Sequence, residues 1–450
     1  MIIVFLQKCN IAVVMKLSHI PKIETCGFDE IIKYQEIKLQ ELLKYLERFS
    51  PFYSRLFKSN NINISKIRSL DDLKNIPTTD KEDLQLNNDD FLCVAPEKIS
   101  DYVTTSGTLG TPITFAVTDK DLDRLAYNEY LSFTTAGGAP GDIYQLMVTM
   151  DRHFMAGLAY FLGIRKLGAA AVRVGPGNPA LQIDSIKRFK PTSLVTVPSF
   201  LLKLIEWSEK NGVDLAETSV KSAICIGESL RNGNFQLNAL GKNIVDNWDI
   251  QLFSTYASTE MGAAFTECTH GIGGHHHPEL LIVEFLDDNE NQVKPGEAGE
   301  LTFTTLGVEG MPLLRFKSGD ICSYYIEPCS CGRTTLRVGS LIGRKKQMIK
   351  YKGTTIYPPM LYEILSDIKG VENYIVEVFS NEINTDEILI RVGTHLKNQE
   401  FEKHIKDHFR AKLRVAPRIE FSDPILLEQL QLSQSLRKPK IFFDRRKNQI

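Results

Sequence analysis

Gln145-Leu146-Met147-Val148-Thr149, Ala170-Ala171-Val172-Arg173-Val174, Leu194-Val195-Thr196-Val197 and Ala223-Ile224-Cys225-Ile226 are four short, mainly apolar runs spread at similar intervals through the middle of the chain. Between them, residues 156–167, 180–189 and 200–210 repeat their apolar positions every three to four residues, the period of a helix. The four runs are too short for helices and largely lack the polar alternation of a half-exposed strand, so they read as strands covered on both faces. Strand–helix alternation of this kind predicts βαβ units on a parallel sheet.

Towards the N-terminus, residues 28–49 carry apolar positions at helical spacing, and Pro51 ends that helix. Residues 59–90 are polar, with short capped helices expected at Ser69-Leu70-Asp71-Asp72-Leu73 and Thr79-Asp80-Lys81-Glu82-Asp83-Leu84. After about Phe253 the texture turns to strands and turns, at 280–285, 299–305 and 321–326. A basic stretch, GRKKQMIKYKG at 343–353, reads as a connector. Beyond it, strands at 375–379 and 387–392, an amphipathic helix at 400–413 and an extended tail from Pro417 predict a small α+β unit. The expected fold is α/β: a large N-terminal domain with mixed and parallel sheets flanked by helices, and a small α+β C-terminal domain. The expected divisions are 1–27 as an N-terminal extension, 28–345 and 346–450.

With 450 residues, the chain exceeds one ordinary core. Its 43% hydrophobic and 24% charged residues are those of a globular protein, and a net charge of −2 gives no reason to expect nucleic acid or an acidic membrane surface. Residues 1–14 are apolar but hold Lys8 inside the run and lack a small-residue cleavage site, so they read as a start-site extension and not a signal peptide. No run of about 18 apolar residues could span a bilayer. The expected location is the cytoplasm, where the eight scattered cysteines would stay reduced.

Three stretches carry nucleotide chemistry. Thr104-Thr105-Ser106-Gly107-Thr108-Leu109-Gly110-Thr111-Pro112 is a hydroxyl- and glycine-rich turn that can offer N–H and O–H donors to phosphate, without the Gly-Lys-Ser/Thr of a Walker loop. In Tyr256-Ala257-Ser258-Thr259-Glu260 a ring can stack on a base, a hydroxyl can bind phosphate and a carboxylate can hold Mg2+. Asp320, behind the turn in Arg315-Phe316-Lys317-Ser318-Gly319-Asp320, can accept from two vicinal ribose hydroxyls. A separate set has metal character: Cys268 and His275 in one segment, Cys329 and Cys331 in another, would complete a tetrahedral structural zinc site, with His270 an alternative to His275.

In order and spacing these motifs, with Gly343-Arg344 just beyond, resemble the adenylate-forming superfamily and within it the phenylacetate–coenzyme A ligase family. Pro51-Phe52-Tyr53, Ile226-Gly227-Glu228-Ser229 and Cys331-Gly332-Arg333-Thr334 add to the resemblance, which runs from about Tyr34 to the C-terminus. It implies an ATP-dependent ligase that activates a carboxylic acid, aryl or arylalkanoic, as its acyl adenylate and passes it to coenzyme A. It also implies that Thr105, Ser106, Gly107 and Thr108 cradle phosphates, that Gly227 and Glu228 form the adenine-binding turn, and that Tyr256 stacks on the base. Thr259 would touch the α-phosphate, Glu260 would hold Mg2+, and Asp320 and Arg344 would hold the ribose. Lys438 would be the catalytic lysine, with Lys440 as a competitor, and Lys346 the hinge of a mobile C-terminal domain.

Three positions depart from the family pattern: Thr111 stands where lysine is usual, and Ala257 and Arg437 where glycine is usual. The acyl pocket is expected near 153–161, where Phe154, Tyr160 and Phe161 suit an aromatic acid. Two other readings stand beside the ligase. One is an adenylating enzyme that loads a carrier protein's phosphopantetheine; the other is a nucleotide-binding relative without catalysis. A homodimer is expected from the family.

Overall fold

A computed structural model describes residues 20–105, 113–381, 386–431 and 440–446. The chain forms two compact units, Met1–Ser318 with Cys322–Leu341, and Gly319–Ile321 with Ile342–Ile450.

The four central runs are strands: β1 (Ile143–Leu146), β2 (Ala170–Arg173), β3 (Ser193–Thr196) and β4 (Ser222–Ile226). With β5 (Gln251–Ser258) they form a parallel ladder in the order β2-β1-β3-β4-β5. Alternate residues serve opposite cores. Leu194, Ala223 and Leu252 pack with Leu201, Leu204 and Ile244 on one face, while Val195, Ile224 and Phe253 pack with Phe133, Tyr160 and Ile164 on the other. Covering both faces is what keeps these runs apolar throughout. The helices between them, Met155–Leu167, Pro179–Phe189 and Pro198–Lys210, return the chain across the sheet. Two of them begin on proline, whose missing N–H costs nothing at a first helical position.

At β6 (Ala263–Glu267) the sheet turns antiparallel and continues through β7 (Gly274–His275), β8 (Leu281–Leu286), β9 (Ala298–Thr305), β10 (Phe316–Tyr325) and β11 (Arg337–Arg344). The eleven strands run β8-β9-β10-β11-β7-β6-β5-β4-β3-β1-β2. The second unit holds a four-stranded sheet ordered Arg418–Ser422, Asp386–Gly393, Asn373–Ser380, Phe442–Asp444. Ile405 and Phe409 of helix Gln399–Leu413 share a core with Val376, Val378 and Ile390 of that sheet.

Three expectations change. The connector at 343–353 ends a strand, makes a turn at Lys345–Gln347 and then starts a hairpin, Ile349–Tyr351 with Thr354–Ile356. Lys352 and Gly353 sit at its tip with φ of +49° and +80°, the left-handed pair that a two-residue hairpin loop requires. The tail after Pro417 gives a strand, then a helix, Pro424–Gln431, again opened by proline, and a second short strand, Phe442–Asp444. Helix Asp119–Thr135, unexpected from the sequence, is capped by Thr118 and buries Asp121, Arg124, Asn128 and Glu129. Those buried polar residues hide the apolar period.

Burial pushes the Glu129 carboxyl from its ordinary 4.5 up to about 8, against a hydrogen bond from Asn128. Between those values the unfolded chain has lost the proton and the folded one keeps it, so stability falls as pH rises from about 4.5 to about 8. Glu129→Gln is expected to remove that slope and raise the melting temperature at pH 8 but not at pH 4. Thermal melts across this range check it; an unchanged slope would contradict it.

Among the described residues no helix is long and apolar enough to cross a membrane.

Candidate functional site

Strands β4 and β5 end side by side, with Ile226 opposite Thr255. Gly227-Glu228, just after β4, and Tyr256 to Glu260, the end of β5 and the turn beyond it, therefore emerge together at the carboxyl edge of a parallel sheet, where open α/β folds bind ligands. Gly227 has φ +74°, a turn that a side chain would strain. The Glu228 carboxylate accepts from the Ser199 amide and hydroxyl at 2.8 and 2.9 Å, which ties the turn to the start of helix Pro198–Lys210. Phe265 braces the half-buried Tyr256 ring, stacked at 6.0 Å.

Thr259 and Glu260 form the turn into β6. The Ser258 hydroxyl accepts from the Met261 amide at 3.2 Å, and the Thr259 carbonyl from the Gly262 amide at 3.2 Å. Arg124, buried, donates at 2.7 Å to each of three carbonyls, Gly262, Leu280 and Leu306, and the Asn128 side chain accepts from the Ala264 amide. The turn is thus held from beneath by the unexpected helix. Nothing in the sequence marked Arg124 for this, because its partners are backbone atoms. The Glu260 carboxylate is mostly buried and lies 3.9 Å from the Lys81 ammonium, at the start of helix Lys81–Leu86, which Asp80 caps. Lys81 was also missed; its place just after a cap was the available signal. Thr259 and Glu260 line a cavity whose other walls include Phe115, Leu125, Met155 and Met311.

Of the phosphate turn, Thr105 is described, and Ser106, Gly107, Thr108 and Thr111 lie outside the described residues. Thr105 closes the base of that loop: its amide donates to the Ile113 carbonyl at 3.0 Å and its hydroxyl accepts from the Ile113 amide at 3.1 Å. Tyr160 is 2% exposed and packs on Phe133, so it belongs to the core and not to an acyl pocket. In the second unit, Arg344 Nε donates to Asp320 Oδ1 at 3.2 Å, so the two expected ribose ligands meet. Lys346 sits in the turn Lys345–Gln347. Lys438 and Arg437 lie outside the described residues. Lys440 is described: its amide donates to Gln431, and its ammonium stands 4.8 Å from the Phe443 ring.

The sulfur and imidazole set does converge. The ligand atoms of Cys268, His275, Cys329 and Cys331 all lie within 4.8 Å of one another. Cys268 Sγ is 3.7 Å from Cys329 Sγ, and Cys331 Sγ is 3.5 Å from His275 Nε2. A hydrogen bond from Cys268, with the His275 imidazole, holds the Cys331 thiol below its ordinary value, favouring thiolate. Burial holds His275 below 6.5, favouring the neutral imidazole that ligates metal. It is His275, not His270, that joins the cluster.

A fold with a nucleotide-type edge at β4 and β5 and a Thr-Glu turn beside an apolar cavity fits an AMP-binding enzyme, and residues 56–309 match the family model of that description. The chain is 30% identical over 377 residues to a phenylacetate–coenzyme A ligase of Thermus thermophilus, covering 83% of each protein. It is 26% identical to a phenylacetate–coenzyme A ligase of Aromatoleum evansii, covering 92% of this chain and 95% of that one. A solved 2-hydroxyisobutyryl-CoA ligase in complex with 2-HIB-AMP shares the fold, with a TM-score of 0.83 at 22% identity over 94% of this chain and 91% of that one. The chain belongs to the phenylacetate–coenzyme A ligase family of adenylate-forming enzymes. It is an AMP-forming acid–coenzyme A ligase whose substrates are a small carboxylic acid, ATP and coenzyme A.

Proposed function

We propose that the acid is aryl or arylalkanoic, of the phenylacetate type. The observation that carries this reading is the similarity, 30% identical over 83% of each chain, to a relative named for phenylacetate. The acid's carboxylate would lie beside the Thr259–Glu260 turn, which would face the α-phosphate. The names of the curated relatives agree.

The chemistry needs no side-chain nucleophile. The acid's carboxylate oxygen attacks the α-phosphorus, the bond to the bridging oxygen breaks, and pyrophosphate leaves. The coenzyme A thiolate then attacks the acyl carbon of the mixed anhydride and AMP departs with the electron pair. In the first step two anions approach each other, so the site must supply positive charge where the pentacoordinate phosphorus forms. Lys438 is the residue for that charge. Thr259 would hold the α-phosphate, the Thr105–Thr108 turn the outer phosphates, Tyr256 and the Gly227-Glu228 turn the base, and Asp320 with Arg344 the ribose.

Glu260 offers the hard oxygen ligand that Mg2+ prefers, and the ion when bound would neutralise phosphate charge. Lys346 would be the hinge between the half-reactions. A structural Zn2+ at Cys268, His275, Cys329 and Cys331 belongs to the same reading.

A panel of aryl, arylalkanoic and short aliphatic acids, assayed with coenzyme A for thioester, tests the substrate class. Phenylacetate or a close aryl analogue is expected to give the highest kcat/KM. A preference for short aliphatic acids would reject the class, and thioester formed on a carrier protein but not on coenzyme A would replace the acceptor.

A further inference from the structure

Two separations in the cluster match edges of a tetrahedron around zinc, and all four ligand atoms lie within 4.8 Å of one another. Ligand bonds of about 2.3 Å to sulfur and 2.0–2.1 Å to nitrogen put two thiolates about 3.8 Å apart and a thiolate and imidazole about 3.6 Å apart. The observed separations are 3.7 and 3.5 Å, and a disulfide at such a sulfur distance is excluded. Three thiolates, one neutral imidazole and Zn2+ leave one net negative charge in a largely buried place, and a buried charge requires a partner.

That partner is present. Arg333 Nη1 lies 3.7 Å from Cys331 Sγ, and Arg333 Nε donates to Glu24 Oε2 at 2.6 Å. The other oxygen of Glu24 meets His277 Nδ1 at 2.5 Å. Glu24, Arg333 and His277 are all nearly inaccessible, at 0%, 3% and 2% exposure. The backbone joins in: the Thr334 amide donates to the Glu24 carbonyl at 2.8 Å, and the Thr334 hydroxyl reaches the carbonyls of Glu24 and Cys26.

We propose that the zinc site has an outer shell of Arg333, Glu24 and His277, and that through this shell the metal clamps residues 21–26 onto the rest of the first unit. The proposal rests on the zinc reading above. Arg333 is the pivot, because its guanidinium spans the thiolate of Cys331 and the carboxylate of Glu24. The metal fixes the loop that carries Arg333, Arg333 fixes Glu24, and Glu24 fixes the segment. The coupling is reciprocal: removing Glu24 leaves Arg333 with one buried anion fewer to orient it, and the thiolate loses a positioned donor. Outer-shell partners of this kind contribute about 10–100-fold in metal affinity.

The test uses the full chain purified without an affinity tag. Elemental analysis is expected to give one zinc per chain. In competition with a chelator, Glu24→Gln and Arg333→Lys are each expected to weaken zinc retention by about 10–100-fold. Chelating the wild-type protein is expected to speed hydrogen exchange at least tenfold across residues 21–26 and at the Thr334 amide, and Cys329→Ser with Cys331→Ser to do the same. One zinc per chain with unchanged retention in both variants, or with unchanged exchange after chelation, overturns the clamp and leaves the zinc site standing. Zinc near zero overturns the site itself. The chelated wild type keeps the question decidable should a variant fail to fold.

Discussion

Lys438→Ala is expected to abolish acyl-adenylate formation while sparing thioester formation from a chemically prepared acyl adenylate. The lysine is needed only while negative charge gathers around the α-phosphorus. Removing one preorganised donor to such a transition state costs on the order of 10²–10³ in rate, and a full cation at attacking and leaving oxygens sits at the upper end. The thiol step begins from an anhydride already formed and expels AMP, so it does not draw on that charge. Paired measurements of acid-dependent pyrophosphate exchange and of adenylate-to-thioester conversion check the split. If Lys440→Ala gives the split phenotype instead, the catalytic role belongs to Lys440, two residues further on. Equal loss of both steps in Lys438→Ala would remove the residue from this role.

Glu260→Gln is expected to suppress the first half-reaction by a similar order of magnitude, about 10²–10³, most severely at limiting Mg2+, with the fold intact. An amide keeps the shape of the carboxylate but not its charge, and Mg2+ binds it poorly. The effect should concentrate on the nucleotide, because the Thr259–Glu260 turn is held by Ser258, Arg124 and Asn128 through backbone atoms, which the substitution leaves in place. Raising Mg2+ should recover part of the activity. Exchange at the wild-type rate under limiting Mg2+ would show that the ion is held elsewhere. Loss of the thermal transition would instead mark Glu260 as a structural partner of Lys81, 3.9 Å away.

The parallel half of the large sheet was legible because physics restricts it twice. A strand covered on both faces must be apolar at successive positions, and the helices between must repeat at their own period. The runs at 194–197 and 223–226 and the helices at 156–167, 180–189 and 200–210 therefore stand within two residues of the observed elements. Helix Asp119–Thr135 was not legible. Its inward face spends Asp121 on backbone amides of Thr118, Glu309 and Gly310, and Arg124 on three carbonyls, so the residues that make it structural look solvent-exposed in the sequence. The turn at Lys352-Gly353 was hidden in a charge run for the opposite reason: its geometry depends on φ, which lysine seldom signals.

At the site, residues close in sequence were easier to read than residues brought together by folding. Tyr256 to Glu260 share one strand end and its turn, and the four metal-ligand candidates announced themselves by residue type. Glu24 gave no sign. It lies in a stretch read as an N-terminal extension, yet it meets Arg333 and His277 across more than 250 residues. Lys81 likewise reaches Glu260 from a short capped helix that carried no sign of the site.

Acid-dependent exchange of labelled pyrophosphate into ATP tests the central claim most directly, since it reports adenylate formation without a thiol acceptor. With saturating ATP and Mg2+, exchange is expected to require an added carboxylic acid, to be strongest with phenylacetate or another aryl acid, and to vanish in Lys438→Ala and Glu260→Gln. Absence of exchange with every acid of an aryl, arylalkanoic and aliphatic panel, in protein shown to be folded, would contradict it.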